Sequence, residues 1–178
     1  MSGVLVTTGR EMTRTIIGHE AYDRGLAAVP PRIAEAYRRA TLLSWVPLTV
    51  VDPVIEAMGV AAGRDPLDLQ DQVARTTVER SLRSMWRVFL GMTSNEALVS
   101  RVPMIFGKSF NWGRVVTSFP RPDQAIVQLV GWPNAQMHVL RGTRVGLEAT
   151  LQAAGRKSAR VSMERTSDGA LYVASALR

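Results

Sequence analysis

The 178-residue chain has no cysteine, which removes disulfides, thiolate nucleophiles, iron–sulfur clusters and thiolate-ligated zinc together. Histidine is almost as scarce. His19 and His138 lie far apart and without HExxH spacing, so they lack the clustering that a metal site needs. A loose group of His19, Glu20 and Asp23 can be drawn, but those residues read as readily as surface or capping groups. Neither GxGxxG nor a P-loop pattern occurs, so the glycine-rich loop that cradles phosphate is missing. There is no GxSxG elbow for a serine hydrolase either. The expectation is a non-enzymatic protein with no catalytic residue, no metal and no cofactor, with an uncharacterised enzyme as the third reading behind a ligand-binding and an anion-binding module. Long apolar runs are also lacking. Residues 42–62 are interrupted by Pro47, Asp52, Pro53 and Glu56, short of the ~20 clean residues of a span, and the apolar run Val4–Val6 has no basic segment before it. A cytoplasmic protein without a membrane span is expected.

Lysine is the last scarcity: Lys108 and Lys157 are the only two among 22 basic residues, against 15 acidic ones. Arginine carries the net charge of +7. Such a bias can simply reflect a GC-rich genome, or it can serve an anionic partner. The basic residues form no block.

Hydrophobic residues make up 46% of the chain and charged residues 21%, the balance of a soluble globular protein. The last third reads strand, strand, helix, strand, strand. Arg114–Phe119 and Ala125–Trp132 flank turn residues around Pro120 and Pro122-Asp123. Met137, Leu140, Leu147, Leu151 and Ala154 repeat at helical spacing over about 134–154, and Gly155 suits the position after the helix. Ala159–Glu164 and Ala170–Leu177 alternate around Asp168-Gly169, a strong hairpin signal. Gly142 and Gly146 predict close approach of the helix to the sheet.

Upstream, Pro30-Pro31 opens a helix with a stripe of Ile33, Tyr37, Ala40 and Leu43. Asp52-Pro53 and Asp65-Pro66 each read as a cap followed by the first helical residue, starting helices over about 54–58 and 67–90. Thr93 and Glu96 have capping-box spacing, for a short helix ending near Arg101, before Pro103. Residues 1–29 read as an N-terminal arm, with Val4–Thr8 as a short edge strand and Gly18 and Gly25 breaking any helix. The predicted fold class is therefore α+β: N-terminal helices packed on a four-stranded antiparallel sheet with a ββαββ C-terminal half, residues 30–178 forming one domain.

Two constellations stand out. Trp86, Phe89, Phe106 and Phe110 are either core plugs or the lining of an apolar pocket for a small ligand, with the later two placed in a loop. Arg80, Arg83 and Arg87 share a helix face, either solvated or a patch for an anionic partner: protein, lipid headgroup or nucleic acid. Nucleic acid is disfavoured, because no stacking aromatics interleave with the charges and no reading helix is evident.

The order Leu82–Arg87, then Pro103–Gly113, two strands, Gly131-Trp132-Pro133, a helix closing in Ala-Gly and a last hairpin resembles a protein family abundant in myxobacteria. It also resembles the ββαββ core shared by haem-based nitric-oxide sensors, four-vinyl-reductase domains and Golgi transport-particle subunits. The likeness covers roughly residues 31–178. It implies a sensory or protein-interaction module that holds a hydrophobic ligand, several of whose relatives dimerise. The haem branch fixes its porphyrin through Tyr-x-Ser-x-Arg and ligates iron through histidine. No Tyr-x-Ser-x-Arg stands in this chain, so a haem site is not carried over.

Overall fold

Residues 1–29 fold against their local propensities. Val4, Val6, Thr7 and Thr8 favour a strand, yet Gly3–Ala28 form a helix, α1. Leu5, Val6, Gly9, Met12, Thr13 and Ile16 recur at helical spacing, and burying that face outweighs the modest cost of β-branched residues in a helix. Val6 and Met12 are almost fully buried. Thr7 and Thr13 turn their hydroxyls back onto the carbonyls of Gly3 and Gly9, as helical threonines do. The expected edge strand is thus corrected to helix.

The computed structural model describes residues 1–81 and 94–177. The chain divides into two units, Met1–Thr77 and Val78–Arg178. Unit 1 is helical: α1, α2 (Pro31–Arg39), α3 (Leu48–Ala61) and most of α4 (Pro66–Ser81). Gly18 does break α1, at φ 81° and ψ 162°, a region open essentially to glycine alone. Gly25 does not. It stays helical and lets α3 come close, since a Cβ there would stand 2.7 Å from the Met58 sulfur. Its core joins Val6, Met12, Tyr22 and Leu26 of α1 to Tyr37, Val51, Val54, Met58, Leu69 and Val73.

Pro31 opens α2 as expected, and Arg10 closes it by donating to the carbonyls of Tyr37 and Arg38. Leu43, placed on the α2 stripe from sequence, lies beyond the helix and is 93% exposed. The α3 expectation is also corrected. The helix starts at Leu48, five residues before Pro53, and Asp52 is a half-buried helical residue rather than its cap. Pro53 lies past the first turn and forgoes the bond that an N–H there would make to the Thr49 carbonyl, and the burial of Val51 and Val54 on either side holds the helix together across it. Asp65 caps α4, accepting from the amides of Leu67 and Asp68.

Unit 2 carries α5 (Asn95–Val99), α6 (Val102–Ser109), β1 (Arg114–Arg121), β2 (Gln124–Val130), α7 (Met137–Ala153), β3 (Arg160–Thr166) and β4 (Gly169–Ser175). The two hairpins form one antiparallel sheet in the order β1-β2-β4-β3, the ββαββ arrangement expected. Register aligns Val115, Leu129 and Ala170 in one row and Val127, Tyr172 and Met163 in another, so the alternate residues Val115, Val127, Leu129, Tyr172 and Val161 share the buried face. Helix α7 packs on β3 and β4: Tyr172 donates to the Leu140 carbonyl at 3.3 Å, and the Val161 amide donates to Glu148 Oε2 at 3.0 Å. Gly146 does not mediate that packing, since no atom lies within 4 Å of its missing Cβ. The cap of α5 is Ser94, which accepts from the Ala97 amide; Thr93 lies outside the described residues. Pro103 starts α6 where a loop was expected.

Candidate functional site

The site is built on the face that makes α1 a helix. Leu5, Val6, Gly9 and Thr13 turn that face inward, and Val51, Val54, Ile55 and Met58 come from α3 at the same 3–4 residue spacing. Met1, Tyr37 of α2 and Leu69, Gln70 and Val73 of α4 complete a cavity of about 40 Å³. All of these residues belong to unit 1. Gly9 widens it, because a Cβ there would meet only Val73 Cγ1, at 4.0 Å.

The lining is largely apolar, and its polar side chains, Thr13, Tyr37 and Gln70, are uncharged; Met1 also lines it, and its α-amino group donates to the Val46 carbonyl at 2.9 Å and is lowered from the ordinary range by burial. The Thr13 hydroxyl is committed to the Gly9 carbonyl at 2.8 Å. Tyr37 is held above the ordinary tyrosine range, chiefly by burial, with Tyr22 adding to the rise and Arg10 opposing it, so its phenol keeps its proton. Gln70 contributes a neutral amide. Such a cavity can seat a small uncharged molecule through dispersion and a few polar contacts.

The sequence pointed elsewhere. Of the four aromatic candidates, Phe106 and Phe110 meet in unit 2 with ring centroids 5.0 Å apart. Trp132 closes the cluster at 6.5 and 5.6 Å, edge-on, the geometry aromatic rings prefer. Trp86 and Phe89 lie outside the described residues. So do Arg83 and Arg87; Arg80 is exposed in the last turn of α4. His19 is exposed on α1 and His138 is buried in α7. The cavity residues were missed because residues 1–29 were read as an arm. The signal that could have found them was the run 5, 6, 9, 12, 13, 16 at helical spacing.

No protein-family model and no curated protein matches the chain. Solved structures do. The Fe(II) unliganded H-NOX protein from K. algicida superposes with a TM-score of 0.69 at 10% identity, covering 98% of this chain and 96% of that one. An oxygen-binding H-NOX domain related to soluble guanylate cyclases, in its oxygen complex, gives 0.64 at 16% identity, over 98% and 93%. A structure concerned with the mechanism of H-NOX activation gives 0.65 at 15%, over 98% and 96%. At such identities the likeness is one of fold: the chain has the fold of H-NOX domains along nearly its whole length.

Proposed function

We propose that this chain is a non-enzymatic sensory module that binds a small, uncharged, largely apolar ligand in the unit 1 cavity. The observation that carries this is the small, largely apolar lining of that cavity in a chain with the fold of gas-binding H-NOX domains. Fold alone never assigns function; the size and lining of the cavity set the ligand class.

The haem named for the H-NOX family does not fit these residues. No histidine lines the cavity; His19 faces solvent and His138 belongs to unit 2. The chain has no cysteine to replace them. A volume of about 40 Å³ is also far below the ~300 Å³ or more of a drug-sized site. The cavity suits a diatomic gas or a short hydrocarbon, smaller than the benzene that an engineered ~150 Å³ cavity accepts.

Xenon serves as a probe. Under xenon pressure the methyl resonances of Val54, Ile55 and Val73 should shift while those of unit 2 stay still. Gly9→Leu should abolish the shifts, and Gly9→Ala should weaken them without loss of fold. Shifts spread over both units, or none at all, would remove the cavity as a ligand seat. Native mass spectrometry of freshly purified protein reads any retained ligand and the subunit count in one spectrum.

A further inference from the structure

We infer that α6 and the turn after it form a docking patch for an anionic lipid surface. Arg101, Met104, Ile105 and Lys108 fall at i, i+3, i+4 and i+7 on one face of this helix, where helical side chains stand in line. The opposite side fixes the helix's roll. Phe106 is buried at 5% exposure in the cluster with Phe110 and Trp132. That anchor turns Met104 and Ile105 outward, 55% and 54% exposed, and Trp112, three residues beyond the helix, is 66% exposed. Core demand explains Phe106. It does not explain three large apolar side chains held in water beside cations.

Charge selects the occupant. Between Glu96 and Asp123 the sequence holds not one acidic residue; Arg101, Lys108 and Arg114 stand on or next to the patch, while Arg121, at the far end of β1, lies 3.9 Å from Asp123 and adds nothing to it. All four basic residues are exposed. An acid-free stretch of this kind complements a negative surface. The apolar component favours a membrane over an acidic protein. The patch is a short helix and the segment after it, and its side chains are of the types that enter a lipid interface: tryptophan, long aliphatics, and arginine and lysine whose stems can lie along the boundary. A specific protein partner would meet directed polar groups, and within the patch the Ser109 hydroxyl is spent on the Ile105 carbonyl. No described helix is long and apolar enough to cross a membrane, so the contact is peripheral. It uses neither the cavity nor its lining.

The test is cosedimentation of the full chain with vesicles of phosphatidylcholine alone, or of phosphatidylcholine and phosphatidylglycerol in equal parts, at two ionic strengths. Binding is expected to the mixed vesicles only, and to weaken with salt. The triple variant Met104→Ser, Ile105→Ser, Trp112→Ser should bind roughly tenfold or more weakly, and Lys108→Ala roughly fivefold more weakly. Leu43→Ser, which removes a still more exposed apolar side chain from unit 1, should leave binding unchanged. All of these are surface changes, and circular dichroism confirms that each variant folds. The proposal falls if the wild type ignores the mixed vesicles, or if the triple variant and Leu43→Ser behave alike. It also falls if the patch instead mediates salt-sensitive binding to polyglutamate with no vesicle binding, which would make it a protein surface.

Discussion

His138 is buried in α7, and desolvation lowers its imidazole to about 4 from an ordinary 6.5. The unfolded chain therefore binds this proton more tightly than the folded one. The resulting stability is intact above pH ~6.5 and is lost as pH falls towards 4, by about 3 kcal/mol in order of magnitude. Asp52 works the other way. Burial raises its carboxyl to about 6 from 3.8, so the folded state gains a proton first and recovers stability over much of the same window. The two must be separated by substitution. Urea midpoints of the wild type should fall between pH 6.5 and 4 more steeply than those of His138→Asn, whose neutral-pH stability will be lower. Parallel slopes would mean that the imidazole is not desolvated. The sequence supplies both residues, but only packing sets their depth: the same Asp52, read locally beside Pro53, looked like a solvated cap.

Two glycines of α1 separate helical propensity from backbone constraint. Gly9 sits in regular helix with room for a methyl, so Gly9→Ala should stabilise by about 1 kcal/mol. Gly18 holds φ 81° and ψ 162°, so Gly18→Ala should destabilise by roughly 1–3 kcal/mol, although a Cβ there would touch nothing. Chemical denaturation of the two variants checks the pair, and equal effects would place Gly18 in ordinary helix. These elements also mark how far the sequence was legible. The ββαββ half was readable because strand alternation, Asp168-Gly169 and Gly155 are local signals, and the observed strands start and stop within about two residues of the expected limits. Helix α1 was not, since its β-branched start speaks for a strand until the α3 surface is there to bury Val6 and Met12. The start of α3 was hidden likewise by Pro53, and α6 by Pro103. The cavity was beyond reach from sequence, because Leu69 and Val73 of α4 face Gly9 only once the helices are packed. The pairing of Phe106 with Phe110 had a local signal, whereas Trp132 joins them only through the β1–β2 hairpin.

Over the whole molecule, the charge that looked evenly spread along the sequence is divided between the units. Residues 1–77 hold eight basic and nine acidic residues, and residues 78–178 hold fourteen basic and six acidic ones. Unit 1 is thus nearly neutral at −1 and unit 2 carries +8, more than the chain's net +7. Like charges at that density oppose the compact state through self-repulsion. Exposed charges farther apart than the Debye length, about 8 Å at physiological ionic strength and about 30 Å at 0.01 M, are largely screened from one another. Salt should therefore relieve unit 2 and leave unit 1 almost untouched. Amide hydrogen exchange of the full chain at low and at physiological salt should show protection of β1–β4 and α7 rising with salt, while protection in α1 and α3 stays level. Exchange that slowed equally in both units would mean that salt acts generally on burial, and the charge division would then have no energetic consequence. If only the sheet responds, the repulsion borne by unit 2 is a standing cost of its basic surface. A counter-surface of opposite charge would relieve it as salt does, and would stabilise unit 2 on contact.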